Sequence, residues 1–145
     1  MKLDEIVREW KKDSEVDVAD ISGEIAKVSR LHSKYMNMYT EEKIRRSLLE
    51  IDYDKLRKIK RDYYRGRFSA KTIQELGWDP INHEIGPAEV SDYLKGDSDL
   101  CEISGKLSIC DIKSDLLKDI VKAIHARGFS LRTLVDWEKF KNGVG

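Results

Sequence analysis

Ile112-Lys113-Ser114-Asp115-Leu116-Leu117-Lys118-Asp119-Ile120-Val121-Lys122-Ala123-Ile124 sets its apolar side chains three and four residues apart. That is the spacing of one face of an α-helix, and the stripe is broad enough to face another helix. Gly128 is placed to end this helix, because glycine enters the left-handed conformation that closes helices without strain. Ser130 can cap a further helix carrying Leu131, Leu134, Val135 and Phe140. The C-terminal part, 109–145, therefore reads as a pair of helices.

Working back toward the N-terminus, Val90–Leu94 and Leu100–Ile103 flank the run Lys95-Gly96-Asp97-Ser98-Asp99. Two short apolar runs around a glycine-containing turn predict a β-hairpin over 90–104. The stretch 77–87 holds both prolines and reads as a loop. Ser69–Leu76 reads as a short helix closed by Gly77. Further back, one helix is expected from about Glu41 to Arg65 and another from Ile21, capped by Asp20, with a pause at Thr40. A short amphipathic helix at Leu3–Lys12 precedes them. The expected fold is mainly α, with long amphipathic helices, a small central β-hairpin and a C-terminal helix pair used for oligomerisation. The 145 residues suit a single domain, with an N-terminal helical part at 1–67, a loop and short helix at 68–89, the hairpin, and the C-terminal helices.

Composition narrows the chemistry. Net charge is zero, yet residues 43–71 carry 11 basic and 4 acidic side chains while 72–120 carry 4 and 11. Such segregation is a mark of polyanion contact, although a solvated helix face is its commoner source. Cys101 and Cys110 lie in no metal or redox spacing and read as core fillers, and His32, His83 and His125 are scattered. No metal or cofactor is expected. Nor do the charged first 30 residues or any apolar run suggest a signal peptide or a membrane span, so an intracellular protein is expected.

The basic segment is Lys55-Leu56-Arg57-Lys58-Ile59-Lys60-Arg61-Asp62-Tyr63-Tyr64-Arg65-Gly66-Arg67. At about 100° per residue, Leu49, Tyr53, Leu56, Ile59 and Tyr63 share one face. Lys58, Arg61 and Arg65 share the opposite face, flanked by Lys55 and Arg57. Lys60 falls among the apolar positions, where a lysine costs stability unless it snorkels or meets an anion. Cations meet phosphates and tyrosines offer stacking faces to unstacked bases, the combination that sequence-tolerant single-strand binding needs. Lys55, Arg57, Lys58, Lys60, Arg61, Tyr63, Tyr64, Arg65 and Arg67 are thus the candidate nucleic-acid contacts. A buried Tyr63 beside merely solvated charges is the plainer alternative.

Other chemistries find less support. Ala123–Leu131 imitates a helix-turn-helix, but Ile124 stands where that motif wants a small residue and Arg127 where it wants an apolar one. Asp97, Asp99, Glu102 and Asp111 are ordinary for a turn and lack a nuclease pattern. A non-catalytic protein is expected, with an oligomeric protein-binding scaffold as the alternative to a nucleic-acid binder.

Four pieces carry a resemblance along nearly the whole chain. They are the start Met-Lys-Leu-Asp-Glu with Lys11-Lys12-Asp13; Leu31-His32-Ser33-Lys34-Tyr35-Met36-Asn37; Asp62-Tyr63-Tyr64-Arg65-Gly66-Arg67; and Ala123-Ile124-His125-Ala126-Arg127-Gly128-Phe129-Ser130-Leu131. In order and spacing they resemble the UvsY-like recombination mediator proteins of tailed phages. The resemblance implies a protein that binds single-stranded DNA and helps load the phage recombinase onto strands coated by the phage single-strand-binding protein, in the cytoplasm of the infected bacterial host. It implies a homo-oligomer, a ring of six or seven subunits, with an interface on Ile112, Leu116, Leu117, Ile120, Ile124, Phe129, Leu131, Leu134 and Val135. Lys58 and Lys60 fall where such proteins contact DNA. Between Phe68 and Val90 the chain departs from the pattern, and no role is implied there.

Overall fold

The computed structural model describes residues 1–143, and all of its regular structure is helical: α1 (Leu3–Asp13), α2 (Ile21–Tyr64), α3 (Ala70–Leu76), α4 (Pro87–Lys95) and α5 (Ser98–Lys141). Local signals explain several ends. Asp20 Oδ1 accepts the Gly23 N–H at 3.1 Å at the start of α2, and Ser69 caps α3 through the Thr72 N–H. Gly66 (φ 75°) and Gly77 (φ 72°) close α2 and α3 in the left-handed region. Each does so with the paired backbone bonds of a Schellman turn: Gly66 to Tyr63 and Arg67 to Asp62, then Gly77 to Gln74 and Trp78 to Ile73.

Three expectations are corrected. Among the described residues there is no strand: 90–104 is the end of α4, a one-turn break, and the start of α5. Pro87 stands at the first position of α4 after Gly86, a favoured helix start, and Asp97 caps α5 through the Leu100 N–H at 3.0 Å. Val90 and Leu94 bury on helical, not alternating, spacing. Second, α2 passes through Thr40 without interruption. Third, α5 passes through Gly128 and Ser130 as one helix of 44 residues, so there is no C-terminal helix pair and no helix-turn-helix. A Cβ at Gly128 would stand 3.2 Å from Val28 Cγ1, so this glycine serves the close approach of two helices, not a turn.

The chain divides into two compact units, the first of residues 1–43 and 111–145 and the second of 44–110. Unit 1 closes on Ile6, Leu31, Tyr35, Leu117, Ile120 and Ile124, with Trp10 and Val28 packed alongside. Trp10 meets Tyr35 edge-on at 5.5 Å. The Arg127 guanidinium donates to the carbonyls of Asp13 (3.2 Å) and Ser14 (2.8 Å), satisfying the open C-terminal end of α1. Lys34 bridges Glu9 and Asp13, both at 2.7 Å, and the Tyr35 hydroxyl donates to the same Asp13 oxygen as Lys34. Burial pushes the Asp13 carboxyl up, but the hydrogen bonds from Lys34 and Tyr35 outweigh it and hold the group below its ordinary range. Unit 2 has a smaller apolar cluster of Ile85, Val90, Leu94 and Leu100, backed by Tyr53, Leu56, Tyr64 and Ile81.

Of the cysteines, Cys110 is buried, but Cys101 is exposed and not a core filler. No helix of the described residues is long and apolar enough to cross a membrane.

Candidate nucleic-acid interface

The basic segment occupies the last turns of α2 and the turn after it. Its buried stripe departs from the expected one at a single position: Tyr63 is buried and Leu49, Tyr53 and Leu56 half-buried as expected, but Lys60 faces inward while Ile59 is 43% exposed. Lys60 is thus an inward lysine, only 4% exposed. Its ammonium lies 2.8 Å from Asp99 Oδ2 and 3.1 Å from Asp97 Oδ2, and 3.9 Å from the centre of the Trp78 ring. The anion that the sequence demanded is therefore present, twice over.

Asp97 joins the cluster together. The cap of α5 uses its Oδ1, while Oδ2 accepts from Lys60 and from the Tyr64 hydroxyl at 2.6 Å. Burial alone would raise the Asp97 carboxyl; the donors from Tyr64, the Leu100 backbone and Lys60 reverse this and hold it below its ordinary range. Burial likewise disfavours the Lys60 charge, and Asp99 and Asp97 overturn that, raising its pKa. Tyr64 is pushed up, first by burial and then by the Asp97 carboxylate. The Tyr63 hydroxyl donates to the Asp79 carbonyl, and its ring packs on Trp78 at 4.9 Å and Tyr64 at 4.8 Å.

The nine candidate contacts thus fall into two groups. Lys60, Tyr63 and Tyr64 turn inward and are committed to partners in unit 2. Lys55, Lys58, Arg65 and Arg67 are exposed, with Arg57 and Arg61 half-buried beside them. Arg67 also lies 3.2 Å from Asp62, which braces the glycine turn. Trp78, Asp97 and Asp99 were absent from the sequence-based site. The demand of Lys60 for an anion pointed to an acidic partner, but nothing local said which one.

The apolar positions expected at a subunit interface divide in the same way. Leu117, Ile120, Ile124 and Leu131 are buried within the chain's own unit 1, and Leu116 and Val135 are half-buried. Ile112 (54%), Phe129 (73%) and Leu134 (37%) are exposed, as are Trp137 and Phe140. Among the described residues no group of three or more His, Cys, Asp or Glu side chains is placed to hold a metal ion.

Set against known proteins, residues 9–144 match the family model described as recombination, repair and ssDNA binding protein UvsY. The chain belongs to the UvsY family. It is 28% identical over 145 residues to the recombination protein uvsY of Enterobacteria phage T4, covering 99% of both chains. Crystal structures of the bacteriophage T4 recombination mediator protein UvsY share the fold. One aligns with TM-score 0.84 at 25% identity over 98% of each chain. Another aligns with TM-score 0.79 at 26% identity over 97% of this chain and 99% of that one.

Proposed function

We propose that this UvsY-family chain is a non-catalytic recombination mediator of a phage, working in recombination, repair and recombination-dependent replication in the cytoplasm of the infected host. In this reading it binds single-stranded DNA and helps the phage strand-exchange recombinase replace the single-strand-binding protein. The observation that carries the binding step is the exposed set Lys55, Lys58, Arg65 and Arg67 on a helix end fixed from behind by the Lys60 cluster. Phosphates fall to these outward cations, with Arg57 and Arg61 in support. Lys60, whose charge is already met, acts by holding that helix end in place, as do Tyr63 and Tyr64.

So small a patch binds weakly alone, and repetition around a six- or seven-membered ring supplies the missing affinity. Ile112, Phe129 and Leu134, with Trp137 and Phe140, are the exposed apolar side chains available for subunit contact.

Fluorescence anisotropy with labelled oligo-dT at several salt concentrations tests the binding step. Lys58→Ala should weaken binding and lower the salt slope by about 1. An unchanged affinity and slope would take Lys58 out of the DNA path. Phe129→Glu should shift the sedimenting species from a multiple of the monomer mass toward the monomer. A wild type that sediments as a monomer at micromolar concentration would overturn the ring.

A further inference from the structure

The segment 68–89, to which the sequence resemblance implied no role, builds a groove that the basic helix does not account for. The groove has a volume of ≈ 680 Å³ and is lined by Phe68, which follows the Arg65–Arg67 turn in the chain, and by Ala70, Ile73, Trp78, Pro80 and Ile81 among others, with no charged side chain in its wall. Its volume is that of ordinary ligand clefts. The Phe68 and Trp78 rings have centroids 6.3 Å apart and planes within 20° of each other, so a flat ring entering the groove meets both in nearly one orientation. The Trp78 wall is held in place. Its backbone N–H donates to the Ile73 carbonyl at 3.1 Å, Gly77 fixes the turn before it, and Lys60 and Tyr63 pack on its ring.

Charge along the chain that builds the groove is uneven. Arg65, Arg67 and Lys71 are exposed and adjoin the lining residues Phe68 and Ala70 in sequence, whereas Glu75 and Asp79 are exposed and adjoin Gln74 and Trp78. An occupant with a flat apolar ring and an anion attached on one side satisfies both features. A purely apolar partner would satisfy only the first.

We propose that this groove takes one unstacked nucleobase of a single strand against Trp78 and Phe68, with Arg67 and Lys71 meeting the adjoining phosphates. The inference rests on the reading of the chain as a single-strand binder, and it adds a base-binding site in the part of the chain to which the family likeness assigns nothing.

The test compares the full-length protein's anisotropy with oligo-dT and with an abasic oligomer of equal length and charge. Wild type should prefer oligo-dT by about tenfold, the order expected for one stacked base. Ala70→Trp fills the groove from an exposed position, and Trp78→Leu keeps an apolar wall but removes the stacking face. Ala70→Trp should lose the preference for bases while binding the abasic strand as wild type does; Trp78→Leu, which also touches Lys60, should lose the preference whatever happens to its phosphate binding, with circular dichroism verifying the helices in both. Retention of the full preference in a folded variant of either kind would overturn the groove. Equal binding of the two oligomers by wild type would overturn the groove and leave the phosphate-binding reading standing. Failure to bind either oligomer at low salt would bring down both readings.

Discussion

In unit 2 the Lys60 ammonium meets two carboxylates and the face of an indole. In unit 1 the equally buried Lys113 has Glu42 Oε1 at 3.5 Å, and that oxygen accepts no hydrogen bond, nor does the buried Ser114 hydroxyl make one. Both pairs bury opposite charges, yet only the first is knitted into its surroundings, where it shares an acceptor with Tyr64 and with the cap of α5. A buried ion pair stabilises only when further hydrogen bonds offset its desolvation. The difference separates a buried charge that organises a site from one that an apolar pair could replace.

Four changes would break or sharpen this contrast. Lys60→Ala, which leaves the buried Asp97 carboxylate without its cation, should cost about 3–5 kcal/mol in urea denaturation; a cost under about 1 kcal/mol would remove the distinction. The double change Glu42→Leu with Lys113→Met should be neutral or stabilising by about 1–4 kcal/mol, and a large loss would mean that this pair is organised too. Acid should act through Asp97. Its carboxyl is held below the ordinary 3.8, so its contribution is present above that value and is lost as pH falls through the lower, folded value. Asp97→Asn should therefore be less stable at neutral pH but flatter on the acid side, as read from urea midpoints between about pH 3 and pH 7. Asp13, also held low, leaves some acid slope in the variant. Smallest of all, Lys58→Ala should move stability by less than about 0.5 kcal/mol, which would leave any loss of DNA affinity to the missing charge alone.

The parts of this contrast were unequally legible. Lys60 stood out because it interrupts an apolar face, and the chemistry of that interruption required an anion. Glu42 and Lys113 gave no such signal, since a pair 71 residues apart in sequence is brought together only by packing. The hairpin error has a specific cause. Short apolar runs such as Val90–Leu94 fit either strand or helix, and length cannot decide between them. The deciding signals were Pro87 after Gly86, and Asp97 three residues before Leu100, both helix starts. The inward stripe of the basic segment differs from expectation at one position, because Ile59 is more apolar than Lys60 and a hydropathy stripe ranks them accordingly. Packing against Trp78 and Asp97 reversed that order.

Gly66 and Gly128 both sit in the pieces that first suggested the family, and both were read as places where a helix ends. One ends a helix and the other lies inside one. In terms of what each position would admit, they are opposites. Gly66 has no neighbour within 4 Å of where a Cβ would stand, so its constraint is the sign of φ alone, and asparagine, which tolerates that region, is the natural replacement. Gly128 has ordinary helical geometry, and its constraint is the Val28 side chain. There the compensating change lies on the other helix: trimming Val28 to alanine makes room for a side chain at 128, a rescue that no second-site change could give at 66.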